Sequence, residues 1–197
     1  AITYAIQGVA DAGDHIISTT SLYGGTHTLF THTFKKFGID VSLVNTKDMS
    51  NVSREIKDNT KAIFVETIGN PEGNIEDLEA LAKIAQDNNI VLIVDNTFAT
   101  PYLCRPIEHG ANIVIHSATK FLGGHGTSIG GVIVDGGNFD WKNGKYPGFS
   151  EPDNSYHGLV FADTFGDQAF AYKIRTTLLR DTGAAISPFN SFLLTQG

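Results

Sequence analysis

The chain has 197 residues, of which 41% are hydrophobic and 18% charged, and its formal net charge is −7. That length supports one domain with a sizeable core, and a pI near 5.4 argues against a nucleic-acid partner, which would need a basic face. No apolar run reaches the roughly 18 residues of a membrane span. The single cysteine, Cys104, cannot close an internal disulfide, which fits a reducing, cytoplasmic setting and a small apolar filler rather than a nucleophile.

Taken in chain order, Ala1-Ile2-Thr3-Tyr4-Ala5-Ile6 reads as the middle of a helix, without an initiating Met, signal peptide or cap. Apolar strands are predicted at His15 to Ser18, Ile39 to Val44, Lys61 to Glu66, Ile90 to Asp95, Asn112 to His116 and Gly131 to Asp135, with helices between them. The clearest helix runs from Ile75 to Asn88. Asn74 is its expected cap, Asp77 resembles a capping box, and Ile75, Leu78, Leu81, Ala82 and Ala85 share one face. Continuous apolar strands alternating with helices predict an α/β fold with a mainly parallel sheet covered on both faces. Aromatic, Gly and Pro residues dominate Asn138 to Leu159, which predicts an ordered loop rather than a linker. The chain closes on Phe192 to Gly197, an apolar helical pattern that does not finish, so it reads as a fragment.

The chemistry concentrates at strand ends. Lys120 follows Ser117-Ala118-Thr119 directly after an apolar run, and Asp95 closes another. A deprotonated lysine condenses with an aldehyde, and burial beside other groups frees its lone pair. Two hydroxyls and the backbone N–H groups of a turn meet a phosphate dianion. A carboxylate keeps a pyridinium nitrogen protonated, which makes the ring an electron sink. Open α/β sheets bind ligands outside the carboxyl ends of their strands, so the pair points to pyridoxal 5'-phosphate.

The segments Ser21 to Thr26, Glu66 to Pro71, Val94 to Pro101 and His116 to Lys120 resemble, in order and spacing, the Cys/Met-metabolism family of pyridoxal phosphate enzymes. The resemblance covers essentially the whole chain. It implies the large domain of the aspartate aminotransferase-like fold (fold type I), with a seven-stranded-type sheet. Residues 1–197 would be the central part of that domain, without the N-terminal arm and the C-terminal small domain. By the same resemblance Lys120 is the Schiff-base lysine and proton shuttle, and Tyr23 stacks on the pyridine ring and takes a proton from the incoming amino group. Asp95 binds the ring nitrogen, Thr97 lies close to the ring, Asn70 sits near the phenolic oxygen, and Ser117 and Thr119 hold the phosphate. Glu66 closes a strand, with a catalytic and an ordering role both open.

The long loop and Phe165-Gly166-Asp167-Gln168-Ala169-Phe170, ahead of Arg175 and Arg180, narrow the resemblance to the O-acetylhomoserine sulfhydrylases. The implied reaction is γ-replacement, in which O-acetylhomoserine and sulfide give homocysteine and acetate. Cystathionine γ-synthase and methionine γ-lyase chemistry are the alternatives within the family, and a non-catalytic interaction module is the reading from another class. The implied assembly is a homotetramer, a dimer of dimers. The implied phosphate loop lies upstream of Ala1, and the arginine for the substrate carboxylate lies downstream of Gly197. Gly123-Gly124-His125-Gly126-Thr127-Ser128 reads as a turn after the lysine, since it lacks the Gly-Lys-Ser/Thr of a nucleotide loop. His27 and His32, five apart with no nearby Cys or acidic pair, do not complete a metal set.

Overall fold

The apolar runs pair edge to edge. In the computed structural model, which describes residues 1–197, the strands are β1 (His15–Thr19), β2 (Asp40–Val44), β3 (Thr60–Glu66), β4 (Val91–Asp95), β5 (Ile113–Ser117) and β6 (Gly131–Asp135). They form one 6-stranded sheet in the order β2-β1-β3-β4-β5-β6. The pairings from β2 through β5 are parallel and only β5–β6 is antiparallel. Each strand falls within one residue of its predicted limits.

Period-2 alternation sends successive side chains into two separate cores. Ile16, Phe64, Ile93 and Ile115 join a cluster that takes in Phe30, Phe34 and the aromatic residues Trp141, Tyr146, Phe149, Phe161 and Phe170. Ile17, Ile63, Val65, Leu92 and Val94 face the other way, against Val52, Leu78, Leu81 and Ala85. Both faces are therefore dry, which is why the central strands read as unbroken apolar runs.

The helix predicted from Ile75 starts later, at Leu78–Asp87, and its cap is Asp77, whose Oδ1 accepts from the Ala80 N–H at 3.0 Å. Asn74 does not cap it. Residues 74–76 are instead drawn into extended pairing with the chain leaving β3: Gly69 N–H donates to the Asn74 carbonyl at 2.8 Å, Glu76 N–H donates to Thr67 O at 3.3 Å, and Ile68 and Ile75 form an antiparallel bridge. Ile75 is consequently 78% exposed rather than on the buried face. The reading of Ala1 to Ile6 as helix holds at Ile2–Gln7, and the terminal apolar pattern forms Pro188–Leu194, with Ser187 Oγ accepting from the Asn190 N–H at 3.1 Å.

The loop after β6 is ordered, as predicted, and its position is informative. Trp141, Tyr146 and Phe149 are buried, with Trp141 stacked on Phe149 at 4.0 Å between ring centroids. The Tyr146 hydroxyl donates to Lys61 O at 2.5 Å and accepts from the Val91 N–H at 3.1 Å, bridging the starts of β3 and β4. Asn138 Nδ2 donates to Ala111 O at 3.0 Å just ahead of β5, and Asn143 Nδ2 to Asn89 O at 3.3 Å just ahead of β4. The loop thus clamps the amino ends of the strands. No helix is long and apolar enough to cross a membrane.

Candidate active site

At the opposite ends of the strands lies an open cleft of about 1230 Å³. Tyr23, Asn70, Asp95, Thr97, Ser117, Thr119 and Lys120 all line it, so the residues to which the resemblance gives cofactor roles are gathered at one place. Parallel strands explain the convergence: β3, β4 and β5 all deliver their last residues to the same edge, and the chain turns there into loops free to carry polar groups.

The best ordered part centres on Asp95. Its Oδ1 accepts from the Thr97 N–H at 3.0 Å and also from the Thr97 hydroxyl. Thr97 Oγ1 in turn accepts from the Ser117 N–H at 2.8 Å. This relay ties the ends of β4 and β5 and fixes the carboxylate, while Oδ2 stays free toward the cleft. Burial pushes the Asp95 carboxyl above the usual carboxylate range, and the two Thr97 hydrogen bonds work against that rise, helped by the nearby His116. Below this layer, Asn96 is fully buried. It accepts from the Thr67 hydroxyl at 2.7 Å and donates to Cys104 O at 2.8 Å. Cys104 packs at the edge of the second core, and burial raises its thiol pKa, as a filler requires.

Lys120 is exposed at the cleft rather than buried, because the cleft is open above it; no carboxylate pairs with its amine. Thr119 lines the cleft, but its hydroxyl is engaged by Gly130, accepting from Gly130 N–H at 3.0 Å and donating to Gly130 O at 3.2 Å. It pins the entry to β6, and Ser117 is left as the free hydroxyl of that turn. Tyr23, 57% exposed, projects its ring into the cleft over Gly25, where an added Cβ would stand 2.6 Å from the ring carbon Cε1. A side chain at Gly25 would therefore displace the ring from this position.

Sequence reasoning left three lining residues without a role. Glu66 is 7% exposed and lies in register with Asp95, a relation only the sheet reveals. His116 is buried beside Asp95 with Nδ1 unpartnered, and burial lowers its pKa. Arg175 lines the cleft without a carboxylate partner, whereas Arg54, Arg105 and Arg180 each have one.

A mainly parallel sheet with a carboxylate able to hold a ring nitrogen protonated, a free lysine and a free hydroxyl at its carboxyl edge marks a pyridoxal phosphate-binding domain of fold type I. Residues 1–197 match the family described as Cys/Met metabolism PLP-dependent enzyme, and the chain belongs to that family. A homocysteine synthase of Schizosaccharomyces pombe is 52% identical over 200 residues, covering 100% of this chain and 47% of the relative. An O-acetyl-L-homoserine sulfhydrylase of Leptospira meyeri is 48% identical, covering 98% of this chain and 46% of its own. Among solved structures, a Campylobacter jejuni protein described as an O-acetylhomoserine (thiol)-lyase, carrying a pyridoxyl-lysine phosphate, superposes with a TM-score of 0.96 at 39% identity. The match covers 100% of this chain and 49% of that one. The chain thus spans about half the length of the curated relatives it matches. The donor set fits the cofactor: free Asp95 Oδ2 for a ring nitrogen, the unengaged Ser117 hydroxyl for a phosphate, and the unpaired Lys120 amine for an aldehyde.

Proposed function

We propose that residues 1–197 are the central part of the cofactor-binding large domain of a sulfhydrylase that converts O-acetylhomoserine and sulfide to homocysteine and acetate. The observation that carries this reading is the 52% identity to a homocysteine synthase, spread over the whole chain. When bound, pyridoxal phosphate supplies an electrophilic aldehyde carbon and a protonated ring that stores the electrons of a carbanion.

The chain's own residues do the rest. Lys120 would anchor the cofactor through its amine and, with the substrate amino group in place, would move protons at the substrate Cα and Cβ. Asp95, held by Thr97, would keep the ring nitrogen protonated. Tyr23 would stack on the ring and take a proton from the incoming amino group. Ser117, Thr119 and the backbone of their turn would hold the phosphate, with Thr119 also ordering that turn through Gly130. Asn70 would sit near the phenolic oxygen and Thr97 close to the ring. In the net reaction the Cγ–O bond breaks, its electron pair leaves with acetate, and sulfide supplies the pair for the new Cγ–S bond. Cytoplasmic location and a homotetramer are part of the same proposal.

The test is a four-way assay of purified full-length protein with O-acetylhomoserine or O-succinylhomoserine as donor, and sulfide or cysteine as nucleophile. Substrate choice is a difference in transition-state binding and appears in the ratio of kcat/KM values. O-acetylhomoserine with sulfide is expected to dominate. Preferential formation of cystathionine, or faster cleavage of methionine supplied alone in a fifth reaction, would replace this activity with one of its two relatives.

A further inference from the structure

Glu66 has no part in the roles set out above, yet its placement is specific. It ends β3 directly in register with Asp95 on β4, and in-register neighbours on adjacent parallel strands present their side chains to the same side, about 4.8 Å apart. Both residues line the cleft. Two carboxyls so close in a poorly solvated place do not both ionise cheaply, and the better hydrogen-bonded one keeps the charge. Asp95 has two donors on Oδ1, both from Thr97. Glu66 Oε1 accepts from the Tyr23 N–H at 2.8 Å, and the Asn70 amide interacts more weakly with the same carboxyl.

That bond is the only hydrogen bond joining Tyr23 to the sheet, since the Tyr23 carbonyl is used by the His27 N–H inside the helix that follows. Tyr23 is the N-cap residue of Gly24–Thr28 and has no side-chain cap. The other nearby acids are engaged elsewhere, Glu72 by Ser21 and Glu76 by Thr19 and Asn74. The groups acting on Glu66 are then Asp95 from β4 and the Tyr23 and Asn70 amides; Asp95 in turn feels His116 and the Ala1 amino group, and Lys120 lines the same cleft.

We propose that Glu66 is the positioning residue of the Tyr23 segment: its carboxylate holds the Tyr23 amide against the end of β3, and uptake of a proton loosens that hold. A hydrogen bond to an ionised acceptor is about twice as strong as one to a neutral acceptor, so protonation weakens the tether without abolishing it. Burial raises Glu66 to about 7, the Tyr23 amide opposes the rise, the Asp95 charge adds to it and the Asn70 amide opposes it. The Tyr23 ring is accordingly best fixed on the alkaline side of neutrality. This inference rests on the reading of the cleft as a cofactor site, and its test is kept separate from substrate turnover.

In cofactor-loaded full-length protein, hydrogen exchange of residues 22–28 is followed from about pH 8 to about pH 6, with intrinsic rates divided out, in wild type, Glu66→Gln and Glu66→Ala. Wild type is expected to lose about tenfold in protection across that range. Glu66→Gln, which keeps an acceptor but cannot ionise, is expected to show a lower protection that does not change with pH. Glu66→Ala is expected to be the least protected throughout. Equal protection in all three proteins, or the same pH-dependent loss in Glu66→Gln, would overturn the assignment. If wild type makes no homocysteine while the exchange behaves as described, the proposed reaction falls and the role of Glu66 stands.

Discussion

At the scale of single residues, the relay from Ser117 N–H through the Thr97 hydroxyl to Asp95 is the most informative local arrangement. It holds a carboxylate still while leaving Oδ2 free, so Asp95→Asn should keep the geometry and lose only the charge. Turnover is expected to fall by about 100-fold or more, with cofactor affinity changed by less than about tenfold, because the phosphate contacts persist. Unchanged turnover would remove Asp95 from its role. Lys120 is checked independently: borohydride reduction of the loaded protein and peptide mapping should place the pyridoxyl group on Lys120. A label on Lys83, which is occupied by Asp87 at 2.6 Å, or on Lys173, whose amine lies over the Phe149 ring at 4.2 Å, would overturn the assignment. These residues were legible because each closes or follows an apolar strand. Glu66 was seen but not assigned, since its register with Asp95 is a property of the sheet and not of either strand.

At the scale of elements, buried polar pairing decides what periodicity leaves open. The strands were readable almost to the residue because central strands covered on both faces must be apolar throughout. The start of the Leu78–Asp87 helix was not, because Asn74 and Asp77 are both competent caps and the choice is made by pairing with residues that follow β3. A second buried network joins the amino ends of β1, β2 and β3. Ser42 donates to Glu55 at 2.7 Å, and its oxygen therefore accepts from His15 Nε2 at 3.0 Å. Nδ1 then accepts from the Thr60 hydroxyl at 2.8 Å, which itself accepts from the Lys57 N–H at 2.8 Å. The network suits neutral His15. Its pKa is lowered by burial and by Lys57, with Glu55 and Asp40 opposing. A depressed folded-state pKa contributes stability that is present above the unfolded value of about 6.5 and lost as pH falls through the folded value. Urea midpoints should decline below about pH 6.5, and His15→Asn should lose part of that decline. An identical slope in the variant would exclude His15 as its source.

At the scale of the whole molecule, the chain separates its chemistry from its bracing. The residues proposed to act follow the carboxyl ends of β1, β3, β4 and β5, and the aromatic loop closes the amino ends. The loop is legible as ordered from its Trp, Tyr, Phe, Gly and Pro content, but nothing local in its sequence tells which end of the sheet it covers. Its Trp141, Tyr146 and Phe149 belong to the core, with Phe139 and Tyr156 packed against it. Tyr146→Phe leaves the Val91 N–H and the Lys61 carbonyl without their shared partner, which costs about 1–3 kcal/mol. The expected result is a melting temperature lower by several degrees, on the scaling of about 2–4 °C per kcal/mol, with KM and the pH profile of turnover unchanged. A shift in KM would show that the two ends communicate. The same separation has a practical side. Lys142 and Glu151 sit exposed on the bracing loop, so a support or reporter attached there leaves the opposite mouth open to diffusing reactants. Immobilisation through that surface should retain more activity than random coupling, which also blocks the mouth of the cleft.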